Sequence, residues 1–108
     1  MVADADLQVW LDSTPGGGQM VMVPYVKSVN DVRLGFRMDV LQQAGAGTSR
    51  ISQQGQITAL AARPTRLGQV TVSVQPDANC KVELTLKRDG QGESTYRFDC
   101  TGKPAPVT

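Results

Sequence analysis

The sequence predicts an all-β fold, and three observations carry that expectation. Apolar and polar residues alternate in short runs, no stretch keeps apolar residues at helical spacing over three turns, and clusters of Gly, Pro, Asn and Asp recur about every ten residues. A chain of 108 residues with 40% hydrophobic and 19% charged residues is one globular domain, large enough for a core and too small for two.

The elements follow in order. Leu7, Val9 and Leu11 alternate with Gln8, Trp10 and Asp12 in a first strand, ended by the turn cluster Ser13-Thr14-Pro15-Gly16-Gly17-Gly18. A second strand runs from Met20 to Lys27, and Pro24, which lacks a ladder donor, predicts an edge or a bulge there. Leu34, Phe36, Met38 and Val40 share one face of a third strand, with Arg33, Gly35, Arg37 and Asp39 on the other. After Gly45-Ala46-Gly47 comes SRISQQGQITA, read as a short hairpin, Arg50 to Gln53 and Gln56 to Leu60, turning at Gln54-Gly55. Val70, Val72 and Val74 form a strand that Pro76-Asp77-Ala78-Asn79 breaks. Cys80, Val82, Leu84 and Leu86, then Tyr96, Phe98 and Cys100, make a closing hairpin around Asp89-Gly90-Gln91-Gly92. These elements predict an immunoglobulin-like β-sandwich of about seven to eight antiparallel strands over residues 6–101. Residues 1–5 are expected to be disordered, and 102–108 to form a flexible tail.

The two cysteines are placed by hydrophobic phase. If the last hairpin sets Leu84 opposite Tyr96 and Val82 opposite Phe98, Cys80 falls opposite Cys100 and a cross-strand disulfide is expected; the other reading is two inert core thiols. With neither a C-x-x-C element nor a helix N-terminus, redox work is disfavoured.

Other chemistry is scarce. There is no His, which removes the commonest general base and any Ser-His-Asp triad, and no carboxylate cluster has metal-ligand spacing. Asp31, Asp39 and Asp99 read as strand or turn residues, Gly16-Gly17-Gly18 as a loop instead of a phosphate cradle, and Trp10 as a residue packed under a loop or second layer, or else an exposed binding aromatic. The expectation is a protein with no enzymatic activity, no cofactor and no metal.

Charge is uneven although the net is +1. Residues 1–32 carry Lys27 against Asp4, Asp6, Asp12 and Asp31, whereas 33–66 carry five Arg against Asp39. The near-neutral total speaks against nucleic acid, and the longest apolar run, Met20 to Val26, is too short to insert into a membrane. Arg33 and Arg37 on the third strand and Lys81, Lys87 and Arg97 on the last hairpin are expected to gather as an outward cationic stripe, able to steer an acidic partner. Gln53, Gln54 and Gln56 either serve a structural hairpin or offer amides to a glutamine- and asparagine-rich client.

Leu34-Gly35-Phe36-Arg37-Met38-Asp39-Val40 followed by Ser49-Arg50-Ile51-Ser52-Gln53-Gln54-Gly55-Gln56 resembles the curli-associated periplasmic chaperones of the CsgH and CsgC group, and CsgH more than CsgC. The resemblance implies an immunoglobulin-like fold and a periplasmic inhibitor that keeps the curli amyloid subunit CsgA from polymerising before secretion; it is expected to act by transient encounter, as a monomer. Export would then depend on a signal peptide absent from this chain. The C-x-C motif of CsgC is missing, so no redox role follows. The alternative is a structural or adhesive module of a surface assembly that joins partners by strand addition near Pro24.

Overall fold

The computed structural model describes residues 2–4, 6–45, 47–73, 79–88 and 92–104. Nine strands are described: β1 (Val2–Asp4), β2 (Leu7–Gly16), β3 (Gln19–Ser28), β4 (Val32–Ala44), β5 (Gly47–Ala59), β6 (Thr65–Arg66), β7 (Val70–Ser73), β8 (Asn79–Arg88) and β9 (Gly92–Asp99). They form two antiparallel sheets. The first has the order β1-β2-β3, with β6 and β7 both on the far side of β3; the second has the order β5-β4-β8-β9. The chain crosses between sheets after β3, β5 and β7, which is immunoglobulin-like wiring with a four-stranded second sheet.

Alternation decides the core. Leu7, Val9 and Leu11 meet Met22, Val26, Val70 and Val72 from the first sheet, and Leu34, Met38, Val40, Val82, Leu84, Leu86, Tyr96 and Phe98 from the second. Burying such side chains stabilises the fold by about 1.5–3 kcal/mol each, before the entropy of ordering the chain is set against it.

Several boundaries differ from expectation. The glycine-rich cluster is a tight hairpin: β2 runs on to Gly16, β3 starts at Gln19, and Gly17 and Gly18 take φ of 60° and 76°, the left-handed pair that a two-residue turn of matching twist requires. Residues 2–4 pair with β2, Val2 opposite Val9, so this part of the expected disordered terminus is a strand; Met1 and Ala5 lie outside the described residues. At the other end Asp99 organises a turn. Its carboxylate accepts the Thr101 N–H at 2.9 Å, the Lys103 N–H at 3.2 Å and the Thr101 hydroxyl, and its own N–H donates to the Lys103 carbonyl at 2.8 Å. Gly102 to Pro104 are therefore held by the fold, while 105–108 lie outside the described residues, as do Val74 and the Pro76-Asp77-Ala78 break.

Pro24 is not at a sheet edge. β3 has β2 on one side and β6 and β7 on the other, and Pro24 lies where that second partner breaks: Tyr25 pairs with Arg66 and Met22 with Val70, so Val23 and Pro24 face three residues, Leu67 to Gln69. The proline needs no partner for its missing N–H at this bulge, while its carbonyl accepts the Leu67 N–H at 2.9 Å. Leu67 turns into the core, 5% exposed.

The segment around Gly55 is not a hairpin either. β5 is one unbroken strand of 13 residues, paired one to one with β4 from Val32↔Ala59 to Ala44↔Gly47. Gly55 lies opposite Phe36, whose ring covers the place a side chain would take: a Cβ there would stand 3.1 Å from the ring.

Candidate functional site

The outer face of the second sheet collects most of the residues singled out from the sequence. Register fixes its rows. Arg50, Leu41, Lys81 and Asp99 stand side by side across β5, β4, β8 and β9; next come Ser52, Asp39, Glu83 and Arg97, then Gln54, Arg37, Thr85 and Thr95, then Gln56, Gly35, Lys87 and Glu93. Arg33, opposite Thr58, lies beyond the last row. Because Gly35 has no side chain, the face dips there into a shallow hollow bordered by Arg37, Gln54, Gln56, Thr85 and Lys87.

The structure thus brings Arg33, Arg37, Lys81, Lys87 and Arg97 to one face, but not as an unbroken cationic stripe. Asp39, Glu83, Glu93 and Asp99 share it, and two of the cations bind carboxylates: Arg37 Nε lies 3.1 Å from Asp39 and Arg97 Nε 3.4 Å from Glu83. Strand phase predicts which cations point outward and puts Asp39 beside them; the expectation of a cationic stripe takes no account of the anions of that phase. Asp39 also accepts the Ser52 hydroxyl, which joins β5 to β4 across the face. Among the described residues, Arg33, Lys81 and Lys87 form no ion pair, and neither does Arg50, a cation the sequence reading left off the face because it placed Arg50 in a separate hairpin. Pairing β5 with β4 over its full length is the signal that assigns it.

The three glutamines separate. Gln54 and Gln56 are exposed on this outer face. Gln53 points the other way: its Nε2 donates to the Gln69 carbonyl at 2.8 Å, and a Cβ on Gly68 would stand 2.8 Å from its Oε1. Gln42 on β4 acts alike, its Nε2 donating to the Ser73 carbonyl at 2.7 Å. Two amides of the second sheet therefore satisfy carbonyls at the first sheet's edge, one in the bulge before β7 and one in β7.

The cysteines form a disulfide, Cys80–Cys100, with Cα atoms 5.5 Å apart, and the register Val82↔Phe98 and Leu84↔Tyr96 is the one the hydrophobic phase predicted. Trp10 is half-buried on the outer face of the first sheet, stacked on Tyr25 with ring centroids 5.6 Å apart and planes 13° off parallel. The three carboxylates expected in strands and turns serve the fold: Asp31 accepts the Ala61 N–H at 2.7 Å, Asp39 the Ser52 hydroxyl, and Asp99 the N–H groups of its turn. Partial burial pushes the Asp99 pKa up, but hydrogen bonds from Thr101 and Lys103 and the Lys103 charge outweigh it and leave it below the usual carboxylate value. At the far end of the sandwich Arg88 holds Asp6 by two bonds, of 2.5 and 3.3 Å, joining β8 to the start of β2 and lowering the Asp6 pKa. Among the described residues no group of three or more His, Cys, Asp or Glu is placed to hold a metal ion, and no helix is long and apolar enough to cross a membrane.

Comparison with known proteins gives the fold its relatives. The family described as CsgH protein matches residues 8–101. Among solved structures, the solution structure of R. palustris CsgH is similar with a TM-score of 0.71 at 23% identity, covering 88% of this chain and 93% of that one. The E. coli curli protein CsgC is similar with a TM-score of 0.74 at 17% identity, covering 85% and 97%. No curated protein sequence matches the chain.

Proposed function

The chain belongs to the CsgH family, and on that premise we propose that it is a non-enzymatic, chaperone-like inhibitor of amyloid growth, acting on a curli subunit in the periplasm. The single observation that carries the mechanism is the set of four cations on the outer face of the second sheet that have no carboxylate partner among the described residues, Arg33, Arg50, Lys81 and Lys87. Each is exposed, so each attracts an acidic client without first breaking an ion pair. Attraction of this kind raises the encounter rate and forms few lasting contacts. That suits an inhibitor working below a one-to-one ratio. The Cys80–Cys100 disulfide supports an oxidising compartment, and membership of the family supports a client from the curli system.

The experiment is a fibrillation time course of purified curli subunit. Reversal of Arg33, Arg50, Lys81 and Lys87 to Glu weakens inhibition while the fold persists, since exposed charges contribute under about 1 kcal/mol each. Arg37→Glu with Arg97→Glu weakens it less, because those cations already face carboxylates. Added salt lowers the wild-type effect in the same direction. A folded quadruple variant that inhibits as well as the parent at low salt overturns electrostatic capture.

A further inference from the structure

The molecule treats its sheet edges unequally. An uncovered edge strand offers a row of unpaired N–H and C=O groups to any other strand, and folded proteins blunt such rows with short strands, prolines, bulges, charges or cover. Three of the four edges here are blunted. β1 is three residues long. The β6 and β7 edge is broken by the bulge at Leu67 to Gln69, with Pro64 just before it, and its Gln69 and Ser73 carbonyls accept the Gln53 and Gln42 amides. β9 carries Glu93, Arg97 and Asp99, and the returning chain covers its end through the Asp99 N–H to Lys103 bond and the Phe98↔Pro104 bridge.

β5 is the exception. It is 13 residues long, has no proline, keeps a one-to-one register without a bulge, and carries one charged side chain, Arg50. Its outer row offers Ser52, Gln54, Gln56 and Thr58, and its inner row offers the half-buried Ile51 and Ile57 on either side of Gly55. An incoming strand with apolar residues at alternate positions and amides or hydroxyls between them would match both rows, which is the pattern of a strand in a cross-β stack.

We propose that β5 adds to the exposed edge of a growing cross-β assembly and that the second sheet, closed at β9, terminates it. This rests on the reading of the protein as an amyloid inhibitor and specifies its target as the growing end instead of the free subunit. An end that has accepted β5 presents β9 as its new edge, and β9 is charged and covered at its end, so the next strand meets a blunted row. One molecule then stops one end. The other occupant of such an edge, a second copy, is opposed by charge: two copies paired through β5 as one continuous antiparallel sheet would place both outer faces, with Arg33, Arg50, Lys81 and Lys87 twice over, on the same side.

The test uses preformed curli-subunit fibrils as seeds, free subunit at fixed concentration, and the intact protein. The inhibitor concentration for half-maximal slowing rises in proportion to the number of ends when the same mass of seed is sonicated into shorter pieces. Gln54→Lys and Gln54→Glu, at an exposed position, each leave the thermal melt unchanged and each raise that concentration roughly tenfold or more, because either charge blunts a strand edge. Opposite effects of the two variants would assign the result to surface charge and overturn the proposal. A half-maximal concentration that follows free subunit and ignores seed length overturns it as well, as does a dimer of the free protein that Gln54→Lys dissociates with inhibition retained. Failure of the wild type to slow growth at all sinks the inhibitor reading itself; slowing that both variants retain sinks only the edge.

Discussion

The side-chain amide of Gln53 donates to the backbone carbonyl of Gln69 at 2.8 Å, so a residue on the edge of one sheet supplies the hydrogen bond missing from the edge of the other. Gln42, on the inner strand β4, donates likewise to the Ser73 carbonyl. Replacing both by Ala costs about 0.5–1.5 kcal/mol for each bond, at the low end where water takes over the carbonyl. It also opens the β7 edge. Urea denaturation should show the stability loss, and size-exclusion chromatography should show self-association that the parent lacks.

Gly102 has φ of 93°, and a Cβ there would stand 2.5 Å from the Leu11 carbonyl oxygen. Backbone and space exclude a side chain together, and neither neighbour is the end of a flexible group. Gly102→Ala is expected to lose about 2 kcal/mol or more of stability, seen as a lower melting temperature. Gly16→Ala, where a Cβ meets nothing within 4 Å and φ is not positive, serves as the control and stays within about 0.5 kcal/mol.

The disulfide closes a loop between residues 20 apart, which in the chain-entropy model stabilises the fold by about 3 kcal/mol. The Cys80→Ser, Cys100→Ser double variant should melt lower and still slow fibril growth. Loss of inhibition in a folded double variant would point to thiol chemistry.

Asp6 and Asp99 both titrate below the usual aspartate value of 3.8 in the folded state. In the unfolded chain they take up protons as the pH falls past that value, while in the folded state they resist. Their contribution is therefore complete above about pH 5 and is lost as the pH falls through the lowered folded values. Asp99→Asn should flatten the acid limb of a plot of urea midpoint against pH and leave its neutral plateau nearly level.

Strand phase made much of this legible. A one-residue slip would turn Tyr96 and Phe98 away from the face of Val82 and Leu84, and the register that keeps Val82 opposite Phe98 and Leu84 opposite Tyr96 carries the cysteines with it. Gly55 misled because glycine marks a turn more often than a place beneath an aromatic ring, and the partner that explains it, Phe36, is 19 residues earlier. Pro24 by itself predicts an edge or a bulge; the bulge lies in the chain opposite, so the residues that decide it, Leu67 to Gln69, are far along the sequence. The roles of Gln42 and Gln53 leave no local pattern at all, since each depends on where the other sheet's edge comes to rest.

The disulfide joins adjacent strands of one sheet and fastens nothing across the two layers. Oxidation therefore asks only that two residues 20 apart in the closing hairpin find each other, a local event that needs no finished sandwich. In a chain delivered from its N-terminus, β2–β3 and β4–β5 are complete as hairpins before the first cysteine arrives. What then remains is the pairing of β4 with β8, the long-range step that sets the folding rate of such topologies, and a pre-closed final hairpin reaches it with one fewer loop to search. An oxidised, urea-unfolded chain should accordingly refold faster than a reduced one.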